Sequence, residues 1–317
     1  VLSRIFRPTV LQVFQINNVE LGLCFSTYGM VAILSYIFGG PLADKYSPRK
    51  LMSLALVLTS FGGFVYAQFP GFYGLKILYG YWGFTTVFLF WSPMIKTARL
   101  WGNTSTQVKA FGFLEGGRGI VGALIGTLAV FVFAYFLNVS DSKFPNLEQS
   151  RNAFKYVVLL SSTIIAFVGF LVWKFMKVDQ EIEKSVVFEK ISLNKIKDVF
   201  FLPSVWLLMV IVMCAYVGYK VTDIFSLYAL DVMQYNQVDS AEVATFLLYL
   251  RPFIAISIAS FASRWENTLI LVIGFAISFL GALFFSFGII TYSKTLLFLS
   301  SIFILAIGVY SLRALYF

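Results

Sequence analysis

Charged side chains stand at three places inside otherwise apolar stretches of this 317-residue sequence, and their types and spacing define what chemistry is open to it. Glu115 and Arg118 are three residues apart, as are Lys220 and Asp223, and Arg251 is followed directly by Pro252. A charge inside a membrane-length apolar run costs about 2.5 to 3.5 kcal/mol on insertion scales, so such groups face a partner or an aqueous space. Three residues is one helical turn, so each acid–base couple can close within its own helix. Two readings follow for Glu115 and Arg118: an ion pair that lets the helix insert, or groups that gate or bind a charged solute. The same choice holds for Lys220 and Asp223. At Arg251 the proline frees a backbone carbonyl, which is tolerated where a cavity or hinge supplies partners. Arg118, Lys220 and Arg251 outnumber Glu115 and Asp223, and a space lined by them favours an anion. Titration of the two acids would instead couple protons to a neutral or cationic solute. Tyr79, Tyr81, Trp82, Trp91, Tyr219 and Tyr249 offer rings with polar tips, although aromatics this frequent (19%) also serve as packing and interface anchors.

Bond-making chemistry has little support. Histidine is absent, which removes the commonest general base and metal ligand. No nucleophile–base spacing and no glycine-rich phosphate loop of the nucleotide-hydrolase type is present. Cys24 and Cys214 both lie in apolar runs and form neither a disulfide framework nor a metal site. We therefore expect no enzyme activity, no metal and no cofactor.

The elements that must position these groups are membrane helices. The hydrophobic fraction is 59% and the charged fraction 12%, against roughly 45 to 50% and about 25% in a soluble domain. Runs long enough to cross a bilayer fall at about 20–42, 51–69, 72–95, 108–137, 153–176, 202–228, 241–263, 269–290 and 295–316. Lys45, Arg49 and Lys50 occupy one short connection, Lys96, Arg99 and Lys109 another, and six lysines the stretch 174–198. By the positive-inside rule these three are cytoplasmic, and the connections at 138–152 and 229–242 face outward. The net charge of +9 accordingly points to loops at a lipid surface rather than to nucleic acid. Residues 177–199 mix lysines with Glu181, Glu183, Glu189 and Asp198 and read as a surface linker between two bundles. Gly112, Gly116, Gly119, Gly122 and Gly126 recur at small-xxx-small spacing, which allows close helix contact.

Residues 40–50, Gly-Pro-Leu-Ala-Asp-Lys-Tyr-Ser-Pro-Arg-Lys, lie between the first two apolar runs and resemble the signature loop of the major facilitator superfamily of secondary transporters. Gly40, Leu42, Ala43, Asp44, Lys45, Arg49 and Lys50 fit that loop, while Ser47 and Pro48 replace its usual glycine and basic residue. The Pro-Arg ending is similar to that of the organophosphate:phosphate antiporter branch. Ala262-Ser263-Arg264-Trp265 resembles a weaker second copy that lacks the acid. The resemblance implies an all-α fold of two helical bundles, at 1–176 and 200–317, joined by the linker at 177–199. Twelve helices are usual, so nine runs imply a chain holding the end of the first helix at residues 1–18 and lacking the last two. The implied activity is alternating-access transport of a small solute, an anion by the charge argument, with Asp44, Lys45 and Arg49 in charge pairs that form in one state and break in the other. A solute sensor that binds without transport is the alternative from a different class. The branch resemblance also implies a binding arginine shortly before a proline on the first helix, a place Arg4 takes with respect to Pro8, and a cavity-lining role for the helix of Tyr219 and Lys220. The expected setting is a multi-pass monomer in a bacterial inner membrane, with lipid and solute as its partners.

Overall fold

The computed structural model describes residues 2–101, 107–137, 146–176, 200–262, 266–288, 290–291 and 293–315, and all regular structure among them is helical. The linker at 177–199 and the second loop copy at 263–265 lie outside the described residues.

The chain enters through two short helices, α1 (Leu2–Ile5) and α2 (Arg7–Phe14). Gln15 ends α2 in the left-handed region (φ 55°). Asn17 and Glu20 then form a reciprocal capping box that starts α3 (Asn18–Lys45). Only Tyr46 and Ser47 separate α3 from α4 (Pro48–Tyr66), whose proline occupies the first turn where no N–H partner is needed. The loop motif thus becomes one helix end, a two-residue turn and one helix start. Lys96, buried on α6 (Ser92–Trp101), donates from Nζ to the Ala43 carbonyl at 2.9 Å, placing a cation on the last turn of α3.

The apolar run at 72–95 is a rod of three pieces. α5 (Phe72–Gly83) leads through a π-helical stretch (Phe84–Trp91) into α6. Next come α7 (Gln107–Leu137) and α8 (Leu147–Phe175), the latter begun by a second capping box of Asn146 and Gln149. α9 (Pro203–Val221) breaks into a 3₁₀ turn at Thr222–Ile224 before α10 (Phe225–Asp231). α11 (Gln237–Ala262), α12 (Asn267–Ser286) and α13 (Thr295–Leu315) complete the chain. Among the described residues each of the nine expected runs is built on helix, and seven helices are long and apolar enough to cross a membrane by length and composition.

Two apolar cores hold the helices together. The first is built on Phe6, whose ring lies 5.0 Å from Phe133 and 5.8 Å from Phe154, so α7 and α8 close around the N-terminal helices. The second gathers Phe225, Phe298, Ile302, Leu305 and Tyr310 from α10 and α13. α11 serves both, giving Ala241, Ala244 and Leu248 to the first and Val243 and Leu247 to the second. Its long contact with α7 depends on glycine: a Cβ at Gly119 would stand 3.0 Å from Pro252, and one at Gly126 would stand 3.0 Å from Ile5 and 3.3 Å from Thr245. Gly116 and Gly122 have nothing within that reach, so close packing accounts for two of the glycines in the stripe and not for those two. Gly112 is outside the described side-chain positions. Leu207, Met209, Met213 and Val217 stand half or more exposed along α9, a surface suited to lipid.

Candidate functional site

Arg4 is the centre around which the polar interior is built. It is 9% exposed, and α1 sets it against the break after α9. Its Nε lies 3.2 Å from the Asp223 carboxylate and its Nη1 donates to the Tyr219 hydroxyl at 2.8 Å. Nη2 donates to the Thr222 hydroxyl and, at 3.4 Å, to the Tyr310 hydroxyl from α13. The Ser226 hydroxyl returns a hydrogen bond to the Arg4 backbone carbonyl at 3.0 Å. Thr222 and Asp223 lie in the 3₁₀ turn, and both are buried.

Lys220 and Asp223 close the expected ion pair one turn apart, so Asp223 serves two cations with its two oxygens. The Lys220 ammonium also sits 4.9 Å from the Phe25 ring centroid on α3. Arg7 bonds Asn18 at 3.0 Å and lies within electrostatic reach of Asp223. Three cations thus surround one carboxylate, and the excess is positive. Tyr219 carries guanidinia at its ring: Arg4 Cζ is 5.0 Å and Arg313 Cζ 4.1 Å from the centroid. Arg251, half-buried on α11, is within electrostatic reach of the Tyr219 and Tyr310 hydroxyls. Tyr79 holds Ser3 at 2.7 Å beside the cluster. Arg251 stands 14 residues into α11, about 21 Å along its axis at 1.5 Å per residue, which is the depth of a bilayer interior.

Four of the expected binding residues, Arg4, Tyr219, Lys220 and Arg251, therefore meet in one place together with Asp223. Arg118 does not join them. Its guanidinium lies 4.9 Å from the Trp91 ring at the end of the π-helical stretch, with Tyr36 in electrostatic reach. Glu115 lies on α7 with its side chain outside the described positions. Asp44 and Lys45 are exposed at the end of α3, and Arg49 packs 5.4 Å from the Trp173 ring instead of meeting Asp44. Arg313, Tyr310 and Thr222 were not expected. Arg313 met the same criterion as Arg251, a cation in an apolar run, but its place near the end of that run mimics an interfacial anchor.

A second polar group ties elements far apart in sequence. Gln237 donates to Gln12 at 2.5 Å and accepts from Thr9 and Ser150, each at 3.4 Å, joining α2, α8 and α11.

The sequence matches the family profile described as Major Facilitator Superfamily over residues 2–316. The chain belongs to the Major Facilitator Superfamily. It is 27% identical to "Inner membrane protein YqcE" of Escherichia coli (strain K12) over 231 residues, which cover 72% of this chain and 50% of that protein. "Inner membrane protein YihN" of the same organism is 28% identical over 177 residues, covering 56% and 39%. The chain spans about half the length, or less, of these curated relatives. Among solved structures, a bacterial homolog to human lysosomal transporter Spinster, in an inward-facing and occupied conformation, superposes with a TM-score of 0.68 at 16% identity. That match covers 99% of this chain and 69% of the other, and it establishes the superfamily fold. This member of the superfamily is a multi-pass integral membrane protein of the inner membrane.

Proposed function

We propose that the protein is a secondary transporter that moves a small organic or phosphorylated anion by alternating access, with the Arg4 cluster as its binding site. The observation that carries this reading is the sharing of Asp223 by Arg4 and Lys220. Asp223 acts as a built-in counter-anion that a solute anion displaces, so the binding energy of the solute is coupled to the contacts between the N-terminal helices and α9. Residues 1–176 and 200–317 move as the two bundles about this centre, and 177–199 links them. Arg4, Lys220, Tyr219, Arg251 and Arg118 bind, and Asp223 and Glu115 couple or gate. Asp44, Lys45 and Arg49 exchange partners as the cytoplasmic side opens and closes. The Gln12–Gln237 group holds the outward side shut in this state, and the likeness to an inward-facing structure supports that assignment. The Pro-Arg ending of the signature loop supports an organophosphate-type branch.

The test is counterflow in liposomes with the full-length protein, using labelled inorganic phosphate and glycerol phosphate inside and outside. Exchange that is lost in Arg4→Ala supports the reading. Uptake of only neutral or cationic solutes under a pH gradient would make Asp223 a proton-coupling carboxylate instead. Binding without exchange would make the protein a sensor.

A further inference from the structure

We infer that Arg7 is a second anion-binding residue of this site and shares with Arg4 the oxyanion of the solute. The inference rests on the anion-binding reading above and adds to it the group that receives the oxyanion once Asp223 is displaced. Arg7 is 9% exposed, as Arg4 is, and the two stand on either side of Phe6, whose ring packs against Phe133 and Phe154. Both address the same carboxylate. Arg4 closes an ion pair with Asp223 at 3.2 Å, and Arg7 lies within its electrostatic reach without closing one.

The two guanidinia differ in what already holds them. The donors of Arg4 go to Tyr219, Thr222 and Tyr310. Arg7 donates from Nε to Asn18 at 3.0 Å, and among the described residues no group accepts from its Nη1 or Nη2. A buried cation with unmet N–H groups is costly, and two like charges three residues apart repel each other. An acceptor that enters with the solute removes both costs. The open part of the guanidinium is planar and suited to parallel hydrogen bonds with a phosphoryl or carboxylate group. A solute oxyanion that releases Asp223 from Arg4 therefore meets a second guanidinium with donors to spare. Tyr79, whose hydroxyl bonds Ser3 at 2.7 Å, is also within electrostatic reach of Arg7 and keeps this side of the cluster polar.

An arginine with a purely structural role would act through Asn18, the first residue of α3. The experiment separates the two roles. Inorganic phosphate and glycerol phosphate are titrated calorimetrically into the purified full-length protein and into Arg7→Gln, Arg7→Lys, Asn18→Ala and Arg4→Ala, and the Tm of each ligand-free protein is measured. Arg7→Gln is expected to weaken both ligands about tenfold or more, the order of one charge-assisted hydrogen bond. Arg7→Lys, which keeps the charge without the fork and is the variant to rely on if Gln prevents folding, should still bind several-fold more weakly than wild type. Asn18→Ala should leave both affinities within about threefold. Without ligand, Arg7→Gln should lower Tm no more than Asn18→Ala does, because it also removes an unmatched charge. Wild-type affinity in either Arg7 variant while Arg4→Ala abolishes binding, or equal losses of affinity in Arg7→Gln and Asn18→Ala, overturns the role of Arg7 and leaves the anion site standing. Failure of the wild type to bind either ligand overturns both readings.

Discussion

Asp223 touches Arg4 and Lys220 at once, and that double contact decides how the centre responds to mutation. Asp223→Asn leaves two cations without a counter-charge next to Arg7, and breaking a buried pair from one side costs on the order of 3 kcal/mol. The variant should show a lower Tm in detergent, and millimolar phosphate should recover part of the loss by taking the place of the carboxylate. A Tm equal to wild type would mean that the hydroxyls of Tyr219, Thr222 and Tyr310 satisfy Arg4 without it. Arg4→Lys is expected to abolish exchange despite keeping the charge, because an ammonium cannot span the carboxylate and three hydroxyls that the planar fork reaches. The sequence made the Lys220–Asp223 pair legible, since helical spacing puts the two one turn apart. It could not reveal that Arg4, 219 positions before Asp223, completes the pair, because no local period connects them.

Two features of the helices carry the geometry. The first is the break at Thr222–Ile224, which separates α9 from α10 in what reads as one uninterrupted apolar run. Neither glycine nor proline marks it. The turn is stabilised by tertiary partners, with Arg4 holding Thr222 and Asp223 from outside the helix. The second is close packing at small residues. A Cβ at Gly281 would stand 2.6 Å from the backbone nitrogen of Leu305, so Gly281→Ala forces α12 and α13 apart. Overpacking of this kind costs about 1 to 3 kcal/mol, to be read as a fall in Tm, whereas Gly122→Ala, with nothing within 4 Å, should leave Tm unchanged. Equal effects at both positions would count against the close approach of α12 and α13.

At the scale of the molecule, the described contacts across the chain are concentrated at the Arg4 cluster, along α7 and α11, and at Gln12–Gln237. Alternating access requires the last of these to open in the opposite state. In a background with Cys24 and Cys214 replaced, a short thiol cross-linker between Gln12→Cys and Gln237→Cys should form in high yield. It should stop counterflow while leaving phosphate binding within about threefold, since a fixed conformation still presents its site. Continued exchange in the fully cross-linked protein would show that this junction does not move.

Composition, apolar run length and the loop at 40–50 by themselves determined the class, the helices and the superfamily of this protein. Those properties depend on transfer of each segment into lipid and on local turn chemistry, both of which are written in consecutive residues. The excess of basic over acidic groups inside the spans can likewise be read there. Only the tertiary structure decided which of those charges share a site. It drew Arg4, Tyr219, Lys220, Arg251 and Arg313 together from four helices and left Arg118 at Trp91. The physical reason is that partners of a buried charge are chosen by packing between helices distant in sequence, where neither periodicity nor spacing records the contact.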